Sequence, residues 1–429
     1  MKLKEDLRFA GVYTAYIAKW LFVAVLIGTV SGLVGALFYN GVSYATELRE
    51  NNSWIIYLMP AAGLIIVWIY RLFSLGRMGT DRIIDAAREG GKLEILLLPA
   101  IFIGTILTHL TGGSAGREGA ALQIGGNIGN AAGRILRFSD EDMKIATMVG
   151  MSALFSALFG TPLTAAVFVV FFVDVGTVYT AAVFPGLVAS LTSFLIAKQF
   201  GMIPFAFTLT VPEFSISLIT RVAALSALCG LLSTLFIKVL HLTGKQLAKY
   251  IRNEYIRAAA GGVLIILMTI AVGNGDYNGA GGGVIRLAVE EGKAVWPAFL
   301  LKILFTAVTL ESGYKGGEIV PTFFIGATFG CVIGPLLGIP AGFAAAVGLI
   351  ATFCGATNSM IASVFLSVEA FGAAGLLYFA VSCAVSYLTS AYEGLYASQT
   401  IQFSKVSMLR IDRKAGKRQK NGSTYTKDV

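Results

Sequence analysis

The chain has 429 residues, of which 56% are apolar and only 13% charged, and its mean hydropathy is +0.76. Soluble domains average about 45–50% apolar and about 25% charged, so this composition excludes a water-soluble globule, and apolar material running from Tyr16 to Phe403 excludes a single anchor. The net charge of +9 is concentrated at one end: residues 404–429 hold eight Lys and Arg against two Asp, which reads as a basic cytoplasmic tail under the positive-inside bias, not as a nucleic-acid-binding arm.

Taken in chain order, residues 1–15 are a short charged lead (Lys2, Lys4, Glu5, Asp6) without the profile of a cleaved signal, expected to stay cytoplasmic. Continuous apolar stretches of spanning length, about 20 residues, follow at Tyr16–Tyr39 and Trp54–Phe73. Residues 92–135 are interrupted at Pro99 and at Gly112-Gly113-Ser114-Ala115-Gly116, and residues 144–200 at Gly160-Thr161-Pro162 and at Pro185. A polar linker, 241–257, separates a first membrane half (16–240) from a second (258–403). Spans are again continuous at Val222–Leu240 and Phe371–Thr389, with interruptions at Gly334-Pro335, Gly338-Ile339-Pro340 and Gly355–Ser359. Short apolar pieces separated by Gly and Pro are how half-membrane helices look in sequence. The expected fold is therefore an all-α integral membrane protein of tilted and broken helices, multi-pass in a plasma or inner membrane, with both termini cytoplasmic.

The two halves resemble each other. A shift of 200 aligns Gly113, Gly116, Glu118 and Gly126 with Gly313, Gly316, Glu318 and Gly326, and a shift of 197 aligns Thr161–Phe168 with Asn358–Phe365. Matched broken segments in two halves point to a transporter site near the bilayer midplane.

Gly116-Arg117-Glu118-Gly119 opens a helical stretch, and Gly316-Gly317-Glu318-Ile319-Val320-Pro321 is the matching element. A helix N-terminus offers unpaired N–H groups and partial positive charge, so an anion and a carboxylate compete for it. Glu118 can leave that place when protonated and return when ionised, which is the physical core of anion–proton exchange; the bland alternative is a helix cap paired with Arg117. Glu318 is either a second proton station or a cap. Leu75–Asp81 is a third glycine break before a helix, where Met78 either packs or, if the turn lines the path, faces the ion. Tyr396 offers a hydroxyl to an anion or serves as an interfacial anchor. An enzyme is not expected: His109 and His241 lack metal-ligand spacing, the four cysteines lie in apolar segments, and no nucleophile elbow or P-loop occurs. No cofactor and no metal are expected either.

These residues resemble the CLC family of chloride channels and proton-coupled antiporters. Gly116-Arg117-Glu118-Gly119 with Gln123-Ile124-Gly125-Gly126-Asn127-Ile128-Gly129 is similar to the family's most specific signature, Gly317–Pro321 to its second anion loop, and Leu395-Tyr396 to its tyrosine-bearing helix start. The resemblance implies the CLC-type fold with two inverted-topology repeats, a homodimer with one pathway per subunit, Glu118 as the gating glutamate, and anion contacts from Tyr396 and the amides of Glu318 and Ile319; Met78, Gly79, Arg117, Gly119 and Val320 complete the expected anion site. Three departures matter. The serine loop of chloride members reads Arg77-Met78-Gly79-Thr80-Asp81 here, the inner proton glutamate position is Phe172, and no regulatory domain is expected after the basic tail. Methionine in place of serine resembles the bacterial fluoride–proton antiporter branch, and Glu318 is the candidate replacement for the missing inner glutamate. Phe323 and Phe324 could offer positive ring edges to fluoride or simply pack. The expected function is a fluoride/proton antiporter; the alternatives are a chloride/proton antiporter or a passive anion channel of the same family, and a sodium-coupled organic-solute transporter as a distinct class.

Overall fold

The computed structural model describes residues 2–76 and 78–415; residues 416–429 of the basic tail lie outside the described residues. Sixteen α-helices are described, and they fall into two series of eight. The first comprises α1 (Lys2–Asn51), α2 (Met59–Leu72), α3 (Thr80–Glu89), α4 (Leu97–Leu110), α5 (Glu118–Ile135), α6 (Asp140–Phe159), α7 (Pro162–Phe172) and α8 (Thr180–Gln199). The second comprises α9 (Ile216–Tyr250), α10 (Glu254–Val272), α11 (Gly282–Glu290), α12 (Ala298–Glu311), α13 (Ile319–Ile333), α14 (Ala341–Thr357), α15 (Met360–Phe371) and α16 (Leu376–Thr389). Long, short and broken members recur in the same order. Helices of equal rank touch across the halves: α2 packs on α10, α5 on α13, and α7 on α15. Self-pairing of equivalent elements is what a two-fold relation between inverted repeats requires.

The helix ends explain the breaks. Gly160 is left-handed (φ 69°) and closes α6, and Pro162 opens α7; Asn358 (φ 55°) closes α14 in the same way before α15. Ser139 caps α6 by accepting the Asp142 N–H at 3.3 Å. Two expectations are corrected. Phe371–Thr389 is not one span, because Gly372 (φ 82°) ends α15 and a separate helix follows. Conversely, Pro185 does not break α8: the Ala181 carbonyl that the proline leaves without its usual partner accepts the Tyr16 hydroxyl at 2.6 Å. Three short strands add a small sheet to the helical fold: β1 (Asp174–Val175) pairs parallel with β2 (Thr400–Phe403), which pairs antiparallel with β3 (Arg410–Lys414).

The centre of the bundle is the broken pair α5 and α13, each clasped by the helix that follows it. The α5–α6 contact is backbone on backbone: a Cβ on Gly129 would overlap the Ala146 carbonyl, and the α13–α14 contact repeats this with Gly330 and Ala344. Small residues four apart permit this approach. Around the core, the long helices turn large apolar side chains outward, such as Phe22, Leu37, Trp68 and Leu231, as a lipid-facing surface does. Gly129→Val is expected to lower the melting temperature of the detergent-solubilised protein, at a cost of about 1–3 kcal/mol or more. Gly283→Ala, whose added Cβ meets open space, should leave it unchanged.

Candidate functional site

The two glycine loops cross at the middle of the molecule. Gly116 and Gly317 exchange two backbone hydrogen bonds, both 2.8 Å, as an isolated antiparallel bridge. No room remains for side chains there: a Cβ on Gly316 would press on Ala115, and one on Gly317 on the Glu118 carboxylate and the Gly119 nitrogen. Each loop is also tied to the opposite half by a threonine. The Ser114 N–H donates to Thr309 Oγ1 at 3.0 Å, and the Lys315 N–H to Thr108 Oγ1 at 3.1 Å.

These reciprocal bonds fix the repeat register, and it differs by one residue from that suggested by sequence identities. Gly116 faces Gly317, Ser114 matches Lys315 and Thr108 matches Thr309, all at a shift of 201. The second shift is 198, because Gly160 and Asn358 are the left-handed helix ends and Thr161 and Ser359 the next N-caps. Helix caps, not glycine identities, set the alignment. Consequently Glu318 is the counterpart of Arg117, since each is the N-cap of its broken helix, and Glu118 has Ile319 as its equivalent.

Glu118 is fully buried, and its Oε1 accepts the Val320 N–H at 3.2 Å. The carboxylate of one half thus occupies the N-terminus of the broken helix of the other, where unpaired amides and the helix dipole favour negative charge. Its Oε2 has no hydrogen-bond partner. Arg117 is engaged elsewhere, donating to the Leu158 carbonyl at 3.2 Å with its guanidinium 4.3 Å from the Tyr39 ring. The Glu318 side chain makes no cap hydrogen bond; it faces the Tyr396 hydroxyl, although neither Glu318 Oε2 nor Tyr396 Oη forms a hydrogen bond of good geometry. Three buried oxygens without partners therefore belong to Glu118, Glu318 and Tyr396, which lie within electrostatic reach of one another.

Tyr396 is carried by a turn before β2, and not by the start of a helix. α3 pins that turn: Asp81 Oδ1 accepts the Ser398 N–H at 2.7 Å, and Arg88 donates to the Ser398 carbonyl at 2.8 Å. Met78 and Gly79 enter the same helix, and Thr80 accepts Gln123 Nε2 of α5 at 3.2 Å, so α3 joins the Met78 loop, the Tyr396 turn and the Glu118 helix. The Phe172 ring meets the Tyr396 ring edge-on at 5.1 Å. Phe323 and Phe324 diverge. Phe323 packs among Phe159, Phe205 and Phe353, whereas Phe324 turns to Tyr277 and Lys302. Arg88 and Lys302 escaped sequence reasoning, and Asp81 and Gln123 entered it only as members of their motifs, without a role. Only Lys302, a lone charge amid the apolar run of α12, carried a signal that could have found it.

Two inverted repeats whose broken helices meet at a buried carboxylate define a membrane transporter of the broken-helix class. Residues 62–391 match the voltage gated chloride channel family. A chloride/fluoride channel protein of Pseudomonas syringae pv. tomato is 35% identical, covering 91% of this chain and 88% of its own. The H(+)/Cl(-) exchange transporter ClcA of Vibrio cholerae is 26% identical, with 81% of each chain covered. Among solved structures, a CLC-type fluoride/proton antiporter superposes with a TM-score of 0.85 at 27% identity, over 89% of this chain and 98% of that one. The chain belongs to the voltage gated chloride channel, or CLC, family.

Proposed function

We propose that this protein is a fluoride/proton antiporter that expels cytoplasmic fluoride in exchange for protons, with Glu118 as the protonatable gate. The observation that carries the reading is the Glu118 carboxylate docked on the Val320 amide with its second oxygen unpartnered. Ionised, Glu118 fills the anion's place at the N-terminus of α13; protonated, it loses the charge that holds it there, and an anion takes the amides. One group thereby exchanges a proton for an anion. Glu318 and Tyr396 offer the next buried polar stop along the path. With Phe172 where an inner glutamate would stand, we assign the second proton station to Glu318.

Fluoride, in preference to chloride, is supported by methionine at position 78 in the first anion loop and by the similarity to a chloride/fluoride channel protein and to a CLC-type fluoride/proton antiporter. The working unit is a homodimer with one pathway per subunit, and both termini are cytoplasmic. The test is efflux from proteoliposomes with external pH recorded. Fluoride efflux with proton uptake and little chloride movement is the expected result. Fast chloride flux with protons would favour the chloride/proton alternative, and anion flux without protons a channel. Met78→Ser is expected to lower the fluoride-over-chloride flux ratio; an unchanged ratio removes Met78 from selectivity.

A further inference from the structure

Lys302 is fully buried in α12, and the exchange described above does not use it. Its ammonium donates to the Gly279 carbonyl at 2.7 Å and to the Tyr277 carbonyl at 3.1 Å, and stands 5.0 Å from the centre of the Phe324 ring. All of these partners are neutral, and no carboxylate forms an ion pair with it among the described residues. A buried ammonium is costly without a counter-charge. At membrane depth such a group marks an ion path by default.

Lys302 shares a helix face with Thr306 and Thr309, four and seven residues on, and all three are fully buried. Thr309 and Thr306 hold Ser114 by its N–H and its hydroxyl, each at 3.0 Å. The loop that Lys302 holds is joined in turn to the Glu118 loop: the Gly279 N–H donates to the Gly113 carbonyl at 3.1 Å, and Asn278 Nδ2 to that of Gly112 at 2.8 Å. The face therefore clamps the Glu118 loop from two sides. The other half places Ile101, Thr105 and Thr108, also buried, at the same shift, and there Thr108 alone holds the loop. The position of Lys302 is there occupied by Ile101, so the scaffold by itself does not demand a cation. The charge breaks the symmetry on the side of Glu118. Arg49 of α1, His109 of α4 and Glu118 of α5 lie within electrostatic reach of Lys302, and Glu118 is faced in addition by Arg117, Glu318 and Tyr396.

We propose that Lys302 supplies a positive charge to the anion path, lowering the cost of bringing an anion to the crossing loops and favouring the ionised, docked form of Glu118. The inference rests on the anion-transport reading. The test compares fluoride flux in proteoliposomes for the wild type, Lys302→Gln, Lys302→Met and Lys302→Arg. Glutamine removes the charge and keeps two N–H donors toward the Tyr277 and Gly279 carbonyls, on a side chain one atom shorter, while methionine keeps that shorter length without donors. Lys302→Gln is expected to raise the fluoride KM about tenfold with maximal rate within about twofold, the scale of one charge acting at mid-range through protein. Without the lysine charge Glu118 takes up its proton at higher pH, so the midpoint of the flux–pH profile should move alkaline. Lys302→Arg, which keeps the charge, should retain the wild-type KM even if its turnover falls.

Wild-type KM and pH midpoint in Lys302→Gln, with only Lys302→Met impaired, would reduce Lys302 to a structural tie and overturn the proposal. A KM raised as much in Lys302→Arg as in Lys302→Gln would overturn it as well, and keeps the test open if the neutral variants do not fold. A wild-type protein inert to both fluoride and chloride would instead overturn the anion-transport reading, and this proposal with it.

Discussion

Glu118→Gln is expected to uncouple protons from anion movement while leaving the protein folded. The amide is nearly isosteric, and its carbonyl can still accept the Val320 N–H that Glu118 Oε1 accepts at 3.2 Å. It can neither ionise nor carry a proton. Proton flux per anion should fall roughly a hundredfold or more, the scale on which a positioned proton-transfer group contributes. Passive anion leak should persist or increase, because the neutral amide competes less well than a carboxylate for the α13 amides. Simultaneous recording of anion release and external pH from the same vesicles reads both quantities. Proton-coupled transport at the wild-type rate in this variant would refute the gate assignment.

Gly317→Val should have the second large effect, and for a different reason. The added side chain would enter the space held by the Glu118 carboxylate and the Gly119 nitrogen. It would also part a bridge whose two hydrogen bonds, each 2.8 Å, hold the halves together at their crossing. Backbone nitrogens of Glu118 and Gly119 stand in the way beside the carboxylate, so rotation of the Glu118 side chain alone gives no relief. Two lost backbone hydrogen bonds at about 1 kcal/mol each and an overpacking cost of about 1–3 kcal/mol are expected to lower the melting temperature. Flux of anion and proton should fall together, in contrast with Glu118→Gln. Normal coupled flux in Gly317→Val would mean that the loops are free to separate and that the bridge does not define the site.

Much of this arrangement was legible in the sequence wherever the cause is local. Gly160-Thr161-Pro162 had to interrupt a helix, because a left-handed glycine end followed by a proline start is written in three adjacent residues. The start of α5 at Glu118 follows from its glycine-flanked loop in the same way. The breaks at Gly334-Pro335 and Gly338–Pro340 also fall between helices, as expected. Pro185 misled because its missing donor is compensated by Tyr16, far away in the chain. Phe371–Thr389 misled because apolar composition is blind to the single backbone angle at Gly372. The repeat was visible, but its register was off by one: glycines are frequent enough to align at a neighbouring shift, whereas caps and cross-half hydrogen bonds admit a single one.

The sequence by itself determined that the chain lives in a membrane, that it is built twice over, that its central helices are broken, and that Glu118 heads one of them. Each rests on composition or on contacts between near neighbours in the chain. The tertiary structure alone decided that the Glu118 carboxylate lies on an amide 202 residues away, that Glu318 matches Arg117 and faces Tyr396, and that α3 ties the Tyr396 turn to the site. It alone set Lys302 beneath the loop joined to that of Glu118. Those relations depend on which helix faces pack together, and packing at this closeness is set by the summed shape of many side chains across both halves, which no local pattern encodes.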